Sequence, residues 1–324
     1  MRHASSTRAM AARAVVVAAM VAACSSSTEP GPGAPPPANS IWITNYFANS
    51  ITVYAAAATG NAAPVATLSG PATLLNGPIR MIIDGAGKIY VANRFGNCIT
   101  IYAKGAAGNS APIATIAGSN TGLNLPSGLA LTSTGDLVVS NDGGNSITVY
   151  AAGMTGNVAP TATINGPATL IRPPLAVAVD ATDRIFVSNF PTNAVTIFAA
   201  GATGNVAPAA SLVGALTGMN GPIALVFDAA GDLHVASGTN NAALTFAAGS
   251  TGNTAPTSVI VGAATELTFP YGFAWDAAGR TYIPNESSNR VTIYGNAAAG
   301  NAAPVDSIAG SAAAFSGVSS VAIY

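Results

Sequence analysis

Gly60-Asn-Ala-Ala-Pro64 returns along the chain as Gly-Asn-x-Ala-Pro beginning at Gly108, Gly156, Gly204, Gly252 and Gly300, each copy 48 residues after the last. Six copies without one insertion or deletion are the signature of a propeller, a solenoid or a linear array, and such a period is read before any local pattern. Working outward from the second copy, the unit holds four short strand-like segments, at Pro78–Asp84, Ile89–Asn93, Ile99–Tyr102 and Ile113–Ile116. Alternating β-branched runs such as Ile51-Thr52-Val53-Tyr54 mark the strands. Asp84-Gly-Ala-Gly87 reads as a tight turn in which glycine supplies a positive φ, and it recurs at Asp228 and Asp276. Four strands in a unit of this size make a propeller blade. A helical repeat needs a 3.6-residue apolar period and few Gly or Pro, whereas this chain has 35 Gly and 21 Pro.

The phase of the two ends predicts closure. The repeating part enters at Ile41, on the second strand of a unit, and finishes with an extra first strand over Gly317–Tyr324. Six complete blades exist only if that last strand joins the first three, which removes the open edge an array would present. The expected fold is therefore all-β, a six-bladed propeller of four-stranded blades over residues 41–324.

Composition narrows the function classes. Half of the 324 residues are apolar and 7% are charged, which excludes an intrinsically disordered chain and a coiled coil. Residues 1–23 read as a secretory signal: Arg2, Arg8 and Arg13 without an acid, then an apolar run from Ala14 to Ala23 too short to span a membrane. Val21-Ala22-Ala23-Cys24 resembles a bacterial lipoprotein box, which implies cleavage before Cys24 and lipidation of its sulfur. The Ser/Pro/Gly-rich residues 25–40 then form a tether. The expected address is extracytoplasmic, on the outer membrane if the host is Gram-negative. Without residues 1–23 there remain eight basic and twelve acidic side chains, a balance of −4, so nucleic acid is not an expected partner. Cys98 is expected to be an inert thiol, and the propeller to be monomeric.

The run Tyr271-Gly-Phe-Ala-Trp-Asp276, with Ile89-Tyr-Val-Ala-Asn93, Asn97 and Ile99-Thr-Ile-Tyr102, resembles the NHL repeat of six-bladed propellers. The resemblance implies the fold over Ile41–Tyr324 and leaves function open, because such propellers include enzymes and binding modules alike. The Gly-Asn-x-Ala-Pro hairpin departs from the usual repeat, and its Asn and Pro read as turn chemistry.

Comparing the six units separates scaffold from candidate site. The aromatic ending the third strand (Tyr54, Tyr102, Tyr150, Phe198, Phe246, Tyr294) is expected to pack between blades. The Asn before that strand, from Asn49 to Asn289, reads as a left-handed turn residue rather than a ring of ligands. The loops between second and third strands differ strongly and carry Tyr46, Phe47, Arg94, Phe95, Asp142, Phe190 and Glu286. The loops joining blades share their face and carry Arg172 and Glu266. Aromatics with Arg make effective contact sites, so this face is the expected binding face, for a protein, peptide or glycan. Arg80 stands in the innermost strand where other units have Gly, Ala or Ser. It is expected to hold an anion, or to plug the channel through Glu266 or Glu286. His234 occupies a core strand position.

No catalytic residue and no cofactor is assigned. The alternative is a metal-dependent lactonase or lyase using Asp142, Glu266, Glu286 and Arg80, a reading that stoichiometric Ca²⁺ or Mg²⁺ would favour. A further one is a structural envelope protein without a small ligand.

Overall fold

The computed structural model describes Pro36 and residues 39–324. Residues 1–23 and Cys24 lie outside the described residues. Six four-stranded antiparallel sheets follow one another round a ring. Blade 1 holds β1 (Ile41–Asn45), β2 (Ser50–Tyr54) and β3 (Ala66–Ser69), completed on the inside by the last strand, β24 (Val318–Ile323). Blade 2 runs β4 (Pro78–Ile83), β5 (Ile89–Asn93), β6 (Cys98–Tyr102) and β7 (Ala114–Ala117). Blades 3 and 4 repeat this plan over 126–164 and 174–212. Blade 5 is β16 (Pro222–Phe227), β17 (Leu233–Ser237), β18 (Ala242–Phe246) and β19 (Ser258–Ile260). Blade 6 is β20 (Ala274–Trp275), β21 (Thr281–Asn285), β22 (Arg290–Tyr294) and β23 (Asp306–Ile308). Strand limits move by a residue from the expected ones.

The ring closes as the phase of the ends predicts. Ile41 pairs with Ile323 and Thr44 with Ser320 across β1 and β24. Because each sheet is covered on both faces by its neighbours, every residue of β1, β2 and β6 is buried. The polar members are satisfied within the blade: the Asn93 amide donates to Thr100 Oγ1 at 2.9 Å, and Asn45, Asn141, Asn189 and Asn285 donate to Thr52, Thr148, Thr196 and Thr292 in the same way. The six aromatics ending the third strands are all fully buried.

Two Asn positions latch blade to blade. Asn49 and its five counterparts lie at φ between 46° and 52°, as their turn role requires. Five of them accept the backbone N–H of the neighbouring blade's entry, for example Gly77 N to Asn49 Oδ1 at 2.7 Å. The sixth, Asn145, faces Pro173, which has no N–H to give. The pentapeptide forms the second latch, on the rim. Gly108 donates to Thr67 O and accepts from Ser69 N, both in the preceding blade. Asn109 Oδ1 accepts Ala72 N at 2.8 Å, and all six units repeat this bond. At the seam Gly60 and Asn61 bond in the same way to Ser307, Ala309 and Ala312. The hairpin that lengthens the repeat is thus a circumferential clasp, more than a local turn.

Candidate functional site

The loops between second and third strands share one face with the blade connections, as Arg94 N to Gly77 O and Phe95 N to Asn76 O show. On that face a cavity of about 230 Å³ lies at the inner ends of blades 6, 1 and 2. Tyr46, Arg94 and Glu286 reach it from the variable loops, and Ile79, Phe269, Tyr271 and Ser319 reach it from the inner strands and their entries. Phe269 and Tyr271 are not among the residues expected at the site. The signal was there: the other units have Gly, Leu or Pro at the first position and Ile, Ser or Leu at the second.

Beside the cavity the aromatic rings run on outward. Tyr46 meets Phe47 edge-on and Phe95 at a tilt, both at 5.1 Å between centroids. Phe47 and Phe95 are 64% and 52% exposed. Each lies against a glycine of its own blade's entry: a Cβ at Gly317 would come within 2.5 Å of the Phe47 ring, and one at Gly77 within 2.7 Å of Phe95. Both glycines also have positive φ, so the entry backbone and the absent side chain together seat the two rings.

The charges on this face are largely paired. Arg94 of blade 2 binds Asp142 at the corresponding position of blade 3, and both side chains are mostly shielded. Glu266 binds Arg290 in a more open position. Glu286 is the only carboxylate lining the cavity, and among the described residues it has no ion-pair partner. Burial pushes the Tyr46 hydroxyl above its usual range; Arg94 draws it back and Asp142 and Glu286 add to it. Burial likewise pushes Tyr271 up to about 12, opposed by Arg80 and Arg94.

Arg80 spans the channel below and does not line that cavity. It is 8% exposed, and its guanidinium crosses the axis to donate to the carbonyls of Tyr271, at 2.9 Å, and Ile223, at 3.2 Å. It plugs the channel, but through backbone carbonyls and not through Glu266 or Glu286 as expected. Burial pushes its pKa down to about 10. Blade 6 makes the acceptor available: Pro284 has no N–H to give the first strand, β20 shrinks to two residues, and the Tyr271 carbonyl at the interruption takes Arg80. Beyond the plug, the C-terminal halves of the inner strands enclose an apolar funnel of about 430 Å³ on the opposite face.

The remaining candidates do not gather at the mouth. Phe190 belongs to blade 4 and lies over Gly221, Arg172 donates to the carbonyl of its neighbour Ile171, and Glu266 is held by Arg290. Among the described residues, no three His, Cys, Asp or Glu side chains come together as a metal site would need. The recurrent Asp is structural, with Asp84 Oδ1 accepting Ala86 N and Lys88 N. Cys98 is fully buried and disulfide-bonded, not the thiol expected.

No protein-family model matches the chain, and no curated protein matches it. Solved structures do. A protein of unknown function from Bacteroides caccae superposes with a TM-score of 0.62 at 14% identity, over 89% of this chain and 99% of that one. A chain of the nidogen/laminin complex gives 0.58 at 14% identity, over 88% and 97%. A catalytically inactive virginiamycin B lyase from Staphylococcus aureus, solved with quinupristin, gives 0.51 at 14% identity, over 78% and 76%. Likenesses at this level of identity speak to architecture alone, and with the closure of β24 onto β1 they make the chain a six-bladed β-propeller.

Proposed function

We propose that the chain is an extracytoplasmic, lipid-anchored propeller that binds a peptide or an exposed protein segment through its loop face. The observation that carries this reading is the continuous aromatic run Phe47, Tyr46, Phe95 beside the loop-face cavity, with its two outer rings more than half exposed. Exposed aromatics next to a shielded Arg–carboxylate pair are the composition of interface anchors. The cavity's size selects the partner class. About 230 Å³ falls below the roughly 300–1,000 Å³ of small-molecule pockets, and it suits one inserted side chain of a larger partner. Glu286 in its wall favours a basic or hydrogen-bond-donating side chain.

The test is a peptide-display selection on the immobilised chain, followed by titration of the selected peptides. The reading expects sequences pairing an aromatic with Lys or Arg, weakened at least tenfold by Phe47→Ala with Phe95→Ala, at an unchanged unfolding midpoint. Selected peptides indifferent to these changes would sink it. The lactonase or lyase alternative draws no support from the site, because Asp142 and Glu266 are each held by an Arg and only Glu286 faces the cavity.

Anchoring rests on the Cys24 box. Lipidation would occupy the only other cysteine in the sequence, so it and an intramolecular disulfide at Cys98 exclude each other. Intact-mass measurement of the membrane-extracted protein separates the two, and a mature chain without added acyl mass would remove the anchor from the proposal.

A further inference from the structure

A cavity of about 640 Å³ lies away from the loop face. It opens between blades 5 and 6 on the opposite side of the ring, beside the turns at Asp228 and Gly279. Its origin is visible in the repeats. Where blade 4 turns Phe186, Val195, Ile197 and Ala210 toward blade 5 as closed core, blade 5 turns His234, Ala243, Thr245 and Ser258 toward blade 6. Smaller or polar side chains at these positions leave the layer unfilled, and Phe273 and Trp275 of blade 6 line the gap. The result is a cleft open to solvent at one end and walled by aromatic rings at the other.

Asp228, His234 and Thr245 look at first like a catalytic relay. His234 Nε2 lies 3.1 Å from Asp228 Oδ2, and Nδ1 lies 3.1 Å from Thr245 Oγ1. The other blades show what this is. Tyr90 and Tyr282 donate their hydroxyls to Asp84 and Asp276 in the same geometry. The imidazole stands in for those phenols: with Asp228 ionised, Nε2–H donates to it and Nδ1 accepts the Thr245 hydroxyl. Both nitrogens are engaged, so the histidine offers its ring and no free lone pair.

What remains on offer defines the ligand. Trp275 stacks parallel to Phe273, and its ring centroid is 4.6 Å from that of His234. Ser258, Thr281 and Asn296 bring hydroxyls and an amide to the walls. No Lys or Arg lines the cleft, so an anion finds no counter-charge, and a cation finds only Asp228, whose oxygens already accept His234 and two backbone N–H groups. An uncharged ligand with an apolar face and a rim of hydroxyls satisfies all three conditions. We propose that the cleft between blades 5 and 6 binds a neutral saccharide, with the sugar ring against Trp275 and its hydroxyls bonded to Ser258, Thr281 and Asn296.

The test uses the full chain titrated with cellobiose, maltose, lactose and diacetylchitobiose in the millimolar range, read by tryptophan fluorescence. Of the two Trp, Trp42 is 2% exposed, so a ligand-induced change reports Trp275. At least one sugar is expected to give a saturable change. Ala243→Val with Thr245→Ile, which restores side chains found in blade 4, should abolish that change without lowering the unfolding midpoint. Should the refilled protein fail to fold, Ser258→Ala with Asn296→Ala is expected to weaken binding at least fivefold. Phe47→Ala with Phe95→Ala should leave it unchanged, which separates this site from the loop face. No saturable change with any of the four sugars, or a change that survives refilling, would overturn the proposal.

Discussion

The rim clasp makes a quantitative prediction at Gly166 and Asn205. Gly166 has φ 109° and ψ 168°, a region that only glycine adopts without strain of about 1–3 kcal/mol. A Cβ there would lie 2.5 Å from Asn205 Oδ1, the atom that accepts Ala168 N at 2.8 Å. Asn205→Ala removes that one bond, about 1 kcal/mol net. Gly166→Ala adds the backbone strain and also pushes Asn205 off its partner, about 2–4 kcal/mol in all. In the double variant the bond is lost only once. Its cost therefore falls short of the summed single costs by about 1 kcal/mol, a coupling well outside the additive range for distant sites. For a domain of this size that is a midpoint difference of about 2 °C, and urea unfolding of the four proteins measures it directly. If the single costs add to within about 0.3–0.5 kcal/mol, glycine and asparagine are not in the steric and hydrogen-bonded contact described, and the clasp is misassigned.

Removing Gly317–Tyr324 takes β24 from blade 1 and leaves β1 unpaired on its inner edge, so the truncated chain should lose its single cooperative unfolding transition in calorimetry; an unchanged transition would contradict closure. Asp276 gives a pH dependence. Burial alone would raise its carboxyl, but the backbone and side chain of Arg280 and the hydroxyl of Tyr282 hold it below the usual range. A carboxyl depressed in the folded state adds stability above its unfolded value of about 3.9, and that stability is lost as pH falls through the folded value. Asp276→Asn should therefore be less stable than the natural chain at pH 7, and the gap in urea midpoint should close below about pH 4; a constant gap would show that charge is not its cause.

The period of 48 and the phase of the ends carried the fold, because blade number and closure depend only on counting repeats. The positive φ of Asn49 and its counterparts was legible for the same reason, as each lies in a turn whose chemistry is local. Contacts between blades were harder. Asn109 reaches Ala72 and Arg94 reaches Asp142 across distances of 37 and 48 residues, and only the second is readable afterwards, as equal positions in adjacent units. The partners of Arg80 sit three and four repeats away across the axis, at a distance decided by channel width. Phe190 shares its loop type with Phe95, and Arg172 lies in a blade connection on the same face, but both stand elsewhere on the ring, so convergence on a mouth cannot be inferred from loop type alone. The cleft between blades 5 and 6 was written in Ala243 and Thr245, small residues in a strand where the eye is drawn to large ones.

Amide hydrogen exchange of the full chain, with and without a saturating selected peptide, tests the central claim most directly. The account predicts protection over residues 46–49 and 94–97 and at the Phe269–Tyr271 entry, with the turns at Asp84, Asp180, Asp228 and Asp276 unchanged. Protection confined to those turns, or to the outer rim at the pentapeptides, would contradict the assignment of the binding face.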